Sequence, residues 1–393
     1  MKIVFTGGGT GGHIYPGLAV ADELKILAAG SEQADLVKAG LEQEGLFQTR
    51  SPEIFWIGNR SGMDRKIVES FTGSDGSHTI SCFYGIPSGK LRRYFSLRNI
   101  LDLFKIFFGF IAAFFILLRL RPAVLFSKGG FVSVPPCLAA KLLGIPVYTH
   151  ECDFTPGLAT RINSRVAHTV LVSYKDTARY FSAGKNVVVT GNPVRPVFYS
   201  ADAAAGRKFL GLPEQKSADE KPVLLVIGGS LGAHQINTLV EENLDWLCSR
   251  FIVVHQTGAH AADSAYKAAD YHRYSFIYAE MPHVIAAADI VLSRAGANAL
   301  WECAVLGKPM VLVPLCGSGT RGDQVDNAAY FSLNDAALSL VGADADAEHL
   351  KQALDVFSAS ETRSAYGNAA RRLVGNDKPA QVIAGLLLKA GNE

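Results

Sequence analysis

The chain is short of net charge. Its 393 residues carry 38 Lys and Arg against 36 Asp and Glu, a formal balance of +2. Global charge therefore argues neither for nor against nucleic acid, and any basic site has to be local. Cysteine is scarce as well: Cys82, Cys137, Cys152, Cys248, Cys303 and Cys316 contain no C-x-x-C pair and no zinc spacing. The chain is far larger than a disulfide-stapled domain, so reduced thiols in a cytosolic protein are the simplest reading. Long apolar runs are missing too. The most apolar stretch, Ile106 to Leu118, is closed by Lys105 and Arg119 and falls below the roughly 20 residues that a bilayer span needs. It reads as a buried or membrane-touching helix. No basic start followed by an apolar run and a cleavage site opens the sequence, so no export signal is expected.

What the chain has is material for a core. At 49% hydrophobic and 19% charged it is not a disordered chain, and its length is too great for one ordinary core, so two domains are expected. The organising stretch is Phe5 to His13, Phe-Thr-Gly-Gly-Gly-Thr-Gly-Gly-His, between the apolar run Ile3 to Phe5 and a helical pattern carrying Leu18, Ala21, Leu24 and Ile26. A strand, a glycine turn and a helix aim backbone N–H groups and the positive end of a helix at one point, which suits phosphate or diphosphate. Gly7, Gly9 and Gly12 satisfy G-x-G-x-x-G, a weak signal alone. A nicotinamide reading also needs a carboxylate after the second strand, and Ile54 to Ile57 runs into Gly58-Asn59-Arg60 instead. His13 adds an imidazole that can take a proton near neutral pH, or simply pack beside the turn.

Strand candidates follow at Ile54–Ile57, Thr79–Phe83, Val124–Phe126, Val147–His150, Val170–Val172 and Val187–Val189, alternating with helical or loop stretches. Such alternation implies a parallel sheet covered on both faces, with ligands at the carboxyl ends of its strands. The pattern breaks at Gly191-Asn192-Pro193-Val194-Arg195-Pro196. A second series then runs Val223–Ile227, Ile252–His255, Ser275–Tyr278, Ile290–Ser293, Met310–Val313 and Leu338–Val341, opening like the first into a glycine turn at Gly228 to Ala233. The expected fold is α/β, two Rossmann-like domains facing across a cleft. The expected boundaries are an N-terminal domain over 1–192, a C-terminal domain over 193–375, and a closing helix over 376–393 that packs back on the first.

Local constellations add chemistry. Lys90, Arg92, Arg93 and Arg98, interleaved with Tyr94, Phe95 and Leu97, precede the apolar helix. They suit an anionic membrane surface, or else form a solvated loop before a core helix. Gly129-Gly130-Phe131-Val132-Ser133 is a third glycine turn directly after a strand. In the second half, Arg294-Ala295-Gly296-Ala297 leads into a helix with Asn298 and Glu302 four apart on one face. A helix N-terminus can hold a phosphate there while the carboxylate accepts both ribose hydroxyls. Gly317 to Asn327 is a polar loop suited to a sugar. Asp344 and Asp346 spell D-x-D but stand at a helix start, where they read as capping residues and not as metal ligands.

Taken in order, Gly8 to His13, Gly129 to Ser133, His150-Glu151, Gly191 to Arg195, Gly228 to Ser230 and Ser293 to Glu302 resemble the MurG family, the peptidoglycan N-acetylglucosaminyltransferases of glycosyltransferase family 28. The resemblance covers almost the whole chain. It implies a GT-B fold and an inverting transfer of N-acetylglucosamine from UDP-N-acetylglucosamine to the C4 hydroxyl of N-acetylmuramoyl-pentapeptide on undecaprenyl diphosphate. The implied place is the cytoplasmic face of the cell membrane, with no metal and no cofactor. It also implies that Thr10, Gly11 and Gly12 meet the donor, and that Ser230 and Arg195 lie by its diphosphate or sugar. The segment Ala297, Asn298, Ala299, Leu300, Trp301 and Glu302 would hold the nucleotide, with main chain near Tyr278 on uracil and Gln324 on the sugar hydroxyls. His13 becomes the candidate base. Three departures matter: Cys152-Asp153 replaces the family's Gln-Asn, which sets the Asp153 carboxylate near a diphosphate; Leu231 stands for Gln; and Asp323-Gln324 stands for Gln-Gln. Same-fold alternatives are a glycolipid glycosyltransferase or a UDP-sugar epimerase. A non-catalytic nucleotide-binding Rossmann protein is the alternative of a different class.

Overall fold

A computed structural model of the chain describes residues 1–38, 52–89, 97–217, 219–229, 232–258, 268–317 and 320–392. It divides into two compact units, one of Met1–Pro196 with Asp377–Glu393 and one of Val197–Asn376.

The first unit is built on β1 (Lys2–Thr6), β2 (Glu53–Asn59), β3 (Cys82–Ile86), β4 (Val124–Ser127), β5 (Val147–Glu151), β6 (Thr169–Val172) and β7 (Val187–Val189). Between them run α1 (Tyr15–Lys38), α2 (Asp64–Ser70), α3 (Leu97–Leu120), α4 (Val134–Leu142) and α5 (Leu158–Val166). The strands pair in parallel in the order β3-β2-β1-β4-β5-β6-β7, so the winding reverses between β1 and β4. Apolar side chains on both faces of β1 make this arrangement favourable: Ile3, Val4 and Phe5 are all fully buried. Phe5 pairs with Trp56 and Phe126 on its two neighbours, stacked at 5.9 Å and edge-on at 5.2 Å. Trp56 Nε1 then donates to Gly7 O at 3.1 Å, so a core aromatic pins the first glycine turn.

The second unit contains α6 (Ala203–Phe209), β8 (Val223–Ile227), α7 (His234–Glu241), α8 (Leu244–Arg250), β9 (Ile252–Gln256), β10 (Tyr271–Tyr274), α9 (Met281–Ala287) and β11 (Ile290–Ser293). It continues through α10 (Ala297–Val305), β12 (Met310–Leu312), α11 (Asp323–Leu333), β13 (Ala337–Ser339), α12 (Ala347–Val356) and α13 (Ser360–Val374). Its parallel sheet runs β10-β9-β8-β11-β12-β13, reversing between β8 and β11. The chain then returns as α14 (Pro379–Asn392), which lies on α1 and places Ile383, Ala384 and Leu387 in the core of the first unit.

Three expectations need correction. The strand read at Ser275–Tyr278 lies four residues earlier, as β10; its Tyr-His-Arg-Tyr sequence is half-buried at a sheet edge and lacks the apolar run that marks an interior strand. The strand read at Thr79–Phe83 is Cys82–Ile86, again an edge. The apolar helix is longer than its uncharged run: Leu101–Leu120 is long and apolar enough to cross a membrane by length and composition, and 22% of that window is buried. Asp102, Gly109, Ala113, Leu117 and Leu120 form its buried face, and the last three join the core under the sheet. Asp346 does cap a helix, accepting the His349 N–H at the start of α12 at 2.9 Å. Lys90, Arg92, Arg93, Tyr94, Phe95, Ser230 and Leu231 lie outside the described residues; Arg98 falls in the first turn of α3.

Candidate active site

In the first unit the glycine turn after β1 closes as a 3-10 turn over Gly11–His13, with His13 N–H on Thr10 O at 3.1 Å, and α1 starts at Tyr15. Thr10 is exposed, while Gly11, Gly12 and His13 are half-buried. The turn after β4 packs against it. Gly130 has φ +78, and a Cβ there would stand 2.7 Å from Gly8 O and 2.9 Å from His13 Cδ2. Only glycine lets the two turns meet and seats the imidazole between them.

Arg195 belongs to this cluster: its guanidinium lies 5.4 Å over the ring of Tyr15, and the same ring lines Gly11. The segment leading to it is held at Gly191, whose carbonyl accepts from His150 Nε2 at 2.9 Å. Burial, then the Lys128 charge, hold the His150 pKa well below the usual histidine range, so the ring is neutral with its proton on Nε2. Asp153 follows β5. Its N–H donates to Glu151 Oε1 and that of Gly157 to Glu151 Oε2, both at 3.0 Å, so Glu151 shapes the loop carrying Asp153. The side-chain ligand atoms of Glu151, Cys152 and Asp153 lie within 4.8 Å of one another, but both Glu151 oxygens are engaged by these amides.

Asp64, at the start of α2, was not visible as a site residue in the sequence. Its buried carboxylate accepts the Gly9 N–H at 3.0 and 3.2 Å and the Asn59 N–H at 2.9 Å. Burial raises its pKa against the lowering effect of those bonds. One amide of the first glycine turn is therefore already committed to an internal anion.

The second unit repeats the design. Gly232, with φ +79, lets the turn after β8 lie on β9, since a Cβ would meet Thr257 O at 2.2 Å. Arg294 follows β11 and donates to Gly232 O at 3.3 Å. Ala295 holds φ +60, a left-handed conformation that a residue with a side chain rarely adopts, and Asn327 Nδ2 pins it by donating to Ala295 O at 3.3 Å. The first turn of α10 follows at once. Asn298 and Glu302 share one half-buried face there, together with Ala299. Ala297, Leu300 and Trp301 are buried, Trp301 edge-on to Phe331 at 5.9 Å, so these three can offer a ligand only main chain.

Tyr278 stands 74% exposed on the loop beyond β10. Buried Gln256 fixes that loop by accepting the Ile277 N–H at 2.8 Å. Gln324 likewise accepts the Leu315 N–H at 2.8 Å, which leaves its NH₂ group for a ligand, and Asp323 pairs with Arg321 at 3.1 Å. Behind the turn, Asn237 Nδ2 donates to Thr257 O, so its Oδ1 accepts from His255 Nε2 at 3.1 Å, and Tyr271 donates to His255 Nδ1 at 3.0 Å. Burial pushes His255 down to about 4 and Tyr271 up to about 12, so this chain of bonds is neutral and fixed. Gln256, Asn327 and Asp64 all act through partners distant in the chain, and no local pattern marks them.

A glycine turn after the strand at the switch point of each sheet, with a helix-borne carboxylate in the second unit, has the geometry that suits a sugar nucleotide. The profile of the glycosyltransferase family 28 N-terminal domain matches residues 44–172, and that of the family 28 C-terminal domain matches residues 223–382. A UDP-N-acetylglucosamine–N-acetylmuramyl-(pentapeptide) pyrophosphoryl-undecaprenol N-acetylglucosamine transferase of Treponema denticola is 46% identical over 98% of this chain and 96% of its own. Its namesake in Clostridium kluyveri is 39% identical over 84% and 83%. Among solved structures, Acinetobacter baumannii MurG superposes with a TM-score of 0.68 at 24% identity, covering 99% of both chains, and shares the two-domain GT-B fold. The chain belongs to glycosyltransferase family 28, in its MurG branch.

Proposed function

We propose that the protein transfers N-acetylglucosamine from UDP-N-acetylglucosamine to the C4 hydroxyl of undecaprenyl-diphospho-N-acetylmuramoyl-pentapeptide, with inversion at the anomeric carbon. The observation that carries this reading is the α10 start: a strained turn at Ala295, amides at the helix N-terminus, and Glu302 one turn further on. The amides hold diphosphate oxygens, Glu302 accepts the ribose hydroxyls, the main chain beside Tyr278 reads uracil, and Gln324 donates to the sugar. The acceptor oxygen forms its bond to the anomeric carbon as the bond to the UDP oxygen breaks. His13 takes the hydroxyl proton, and the diphosphate leaves with its charge stabilised by fixed N–H dipoles and Arg195. Thr10, Gly11, Gly12 and Asp153 line the reacting groups.

The lipid arrives at α3. Leu101, Leu103, Phe104, Phe107 and Phe108 are all more than half exposed, around Lys105 and directly after the basic sequence Lys90 to Arg98. The opposite face of the helix is committed to the core, so α3 lies in the plane of an anionic cytoplasmic membrane surface as a peripheral anchor. The test is transfer of labelled N-acetylglucosamine to a lipid acceptor analogue, run with wild type and His13→Ala. The expected result is a labelled disaccharide lipid from wild type, with turnover lost in the variant and its UDP binding heat unchanged. Folded wild type that yields no labelled lipid overturns the assignment, and full turnover in the variant removes His13 as the base.

A further inference from the structure

The turn after β4 that meets His13 begins with two residues that have no side chains to hold it. Gly129 and Gly130 both take positive φ, at 84 and 78, so the position of this turn has to come from its flanks. Two serines supply it. Ser127, the last residue of β4, accepts the Gly129 N–H on its Oγ at 3.2 Å, and Ser133, which closes the 3-10 turn Phe131–Ser133, donates its hydroxyl to Gly130 O at 2.8 Å. Both serines are fully buried.

A third residue joins them. Asn163 stands in the interior of α5, fully buried, at a helical position that asparagine does not favour. Its Nδ2 donates to Ser127 Oγ at 3.1 Å and to Ser133 Oγ at 2.8 Å. The chemistry of the serines sets the direction of these bonds: the Ser133 hydrogen is spent on Gly130 O, so the amide must meet that oxygen with an N–H. One nitrogen thereby fixes the rotamers of both serines and, through them, a donor and an acceptor of the diglycine turn. A residue that only filled space here would carry no amide into the interior.

His13 lies against the same turn. The point where a Gly130 Cβ would stand is 2.9 Å from His13 Cδ2, and the corresponding point on Gly129 is 3.8 Å from His13 Nδ1, so the ring lies along both glycines. We propose that Asn163 is a positioning residue for His13: with Ser127 and Ser133 it sets where the diglycine turn stands, and the turn sets where the imidazole stands. The effect on turnover rests on the proposed base role of His13; the placement of the ring does not.

The experiment uses the full chain as wild type, Asn163→Leu, Ser133→Ala, His13→Ala and the combination of His13→Ala with Asn163→Leu. It measures labelled transfer, UDP binding heat and NMR of the histidine rings, the His13 signal being the one missing from His13→Ala. Leucine keeps the volume and removes the donor; Ser133→Ala deletes a single oxygen and carries the test if the leucine variant does not fold. The expected result is that Asn163→Leu and Ser133→Ala each lose about tenfold or more in turnover at saturating substrates, keep the donor KM and the UDP heat, and shift the His13 signal. In the His13→Ala background, Asn163→Leu should cost no further turnover. An unmoved His13 signal in the folded variants overturns the proposal, as does an equal fractional loss with and without His13. Full turnover in His13→Ala alone overturns only the base reading, and the His13 signal in Asn163→Leu then decides the placement by itself.

Discussion

The contact between the two glycine turns of the first unit can be broken with one methyl group. In Gly130→Ala the backbone must keep φ 78 and ψ 157, a region open in practice only to glycine, which costs an L-residue about 1–3 kcal/mol. The new Cβ would also stand 2.7 Å from Gly8 O and 2.9 Å from His13 Cδ2, one a backbone atom and the other a rigid ring. Neither can turn away, so the turns separate by several tenths of an ångström, and overpacking of this kind adds about 1–3 kcal/mol. The total, roughly 2–6 kcal/mol, should lower the melting temperature of the first unit by about 5–20 °C at the sensitivity of a domain of this size. Because His13 rides on the displaced contact, turnover should fall by up to about 100-fold, the loss associated with a reacting group moved by about 1 Å. The assay is labelled transfer at saturating donor, with UDP calorimetry as the control, since the proposed nucleotide contacts on α10 lie elsewhere in the chain. Wild-type turnover and melting in Gly130→Ala would show that the turns do not bear on each other.

Two further perturbations test the electrostatics and the lipid face. Asp64 has its pKa raised by burial, so the folded protein holds that proton to higher pH than the unfolded chain, and stability falls as pH rises from the ordinary aspartate range through the raised value. Asp64→Asn should remove that slope, seen as denaturant midpoints that flatten above the ordinary aspartate range; parallel profiles for the two proteins would refute the assignment. Replacing Phe104 and Phe108 together by Ser should weaken binding to anionic liposomes by about tenfold or more, since a phenyl group contributes about 1.5–3 kcal/mol when fully buried. Transfer to a short-chain soluble acceptor should be unaffected, and equal partitioning would remove α3 from the membrane contact.

The interior strands were legible in sequence because a parallel strand buried on both faces is a continuous apolar run, as in Val223–Ile227 and Ile290–Ser293, whose bounds the structure reproduces. Edge strands escape that rule. Tyr271–Tyr274 pairs on one side only and tolerates His272 and Arg273, so hydropathy drew the eye to the following segment. The glycine turns were legible because glycine followed by a helical pattern is a local signal. The residues that hold those turns were not. Asp64 reaches back to Gly9, Asn327 to Ala295 and Gln256 forward to Ile277, and each is an ordinary polar residue until the fold closes those distances. Trp301 sits inside the segment expected to hold the nucleotide, and its buried indole packs against Phe331, which restricts any contact it makes to main chain.

The return of α14 to the first unit bears on how the protein is made. Ile383, Ala384 and Leu387 fill a core shared with Leu18, Ala21 and Trp56, so the first unit remains without part of its interior until α14 has been translated. The second unit, contiguous in sequence, can close while the first still waits. A fragment ending at Pro196 should therefore expose the apolar groove that α14 covers, whereas deletion of α14 should destabilise the first unit, whose strands lie far from it in sequence.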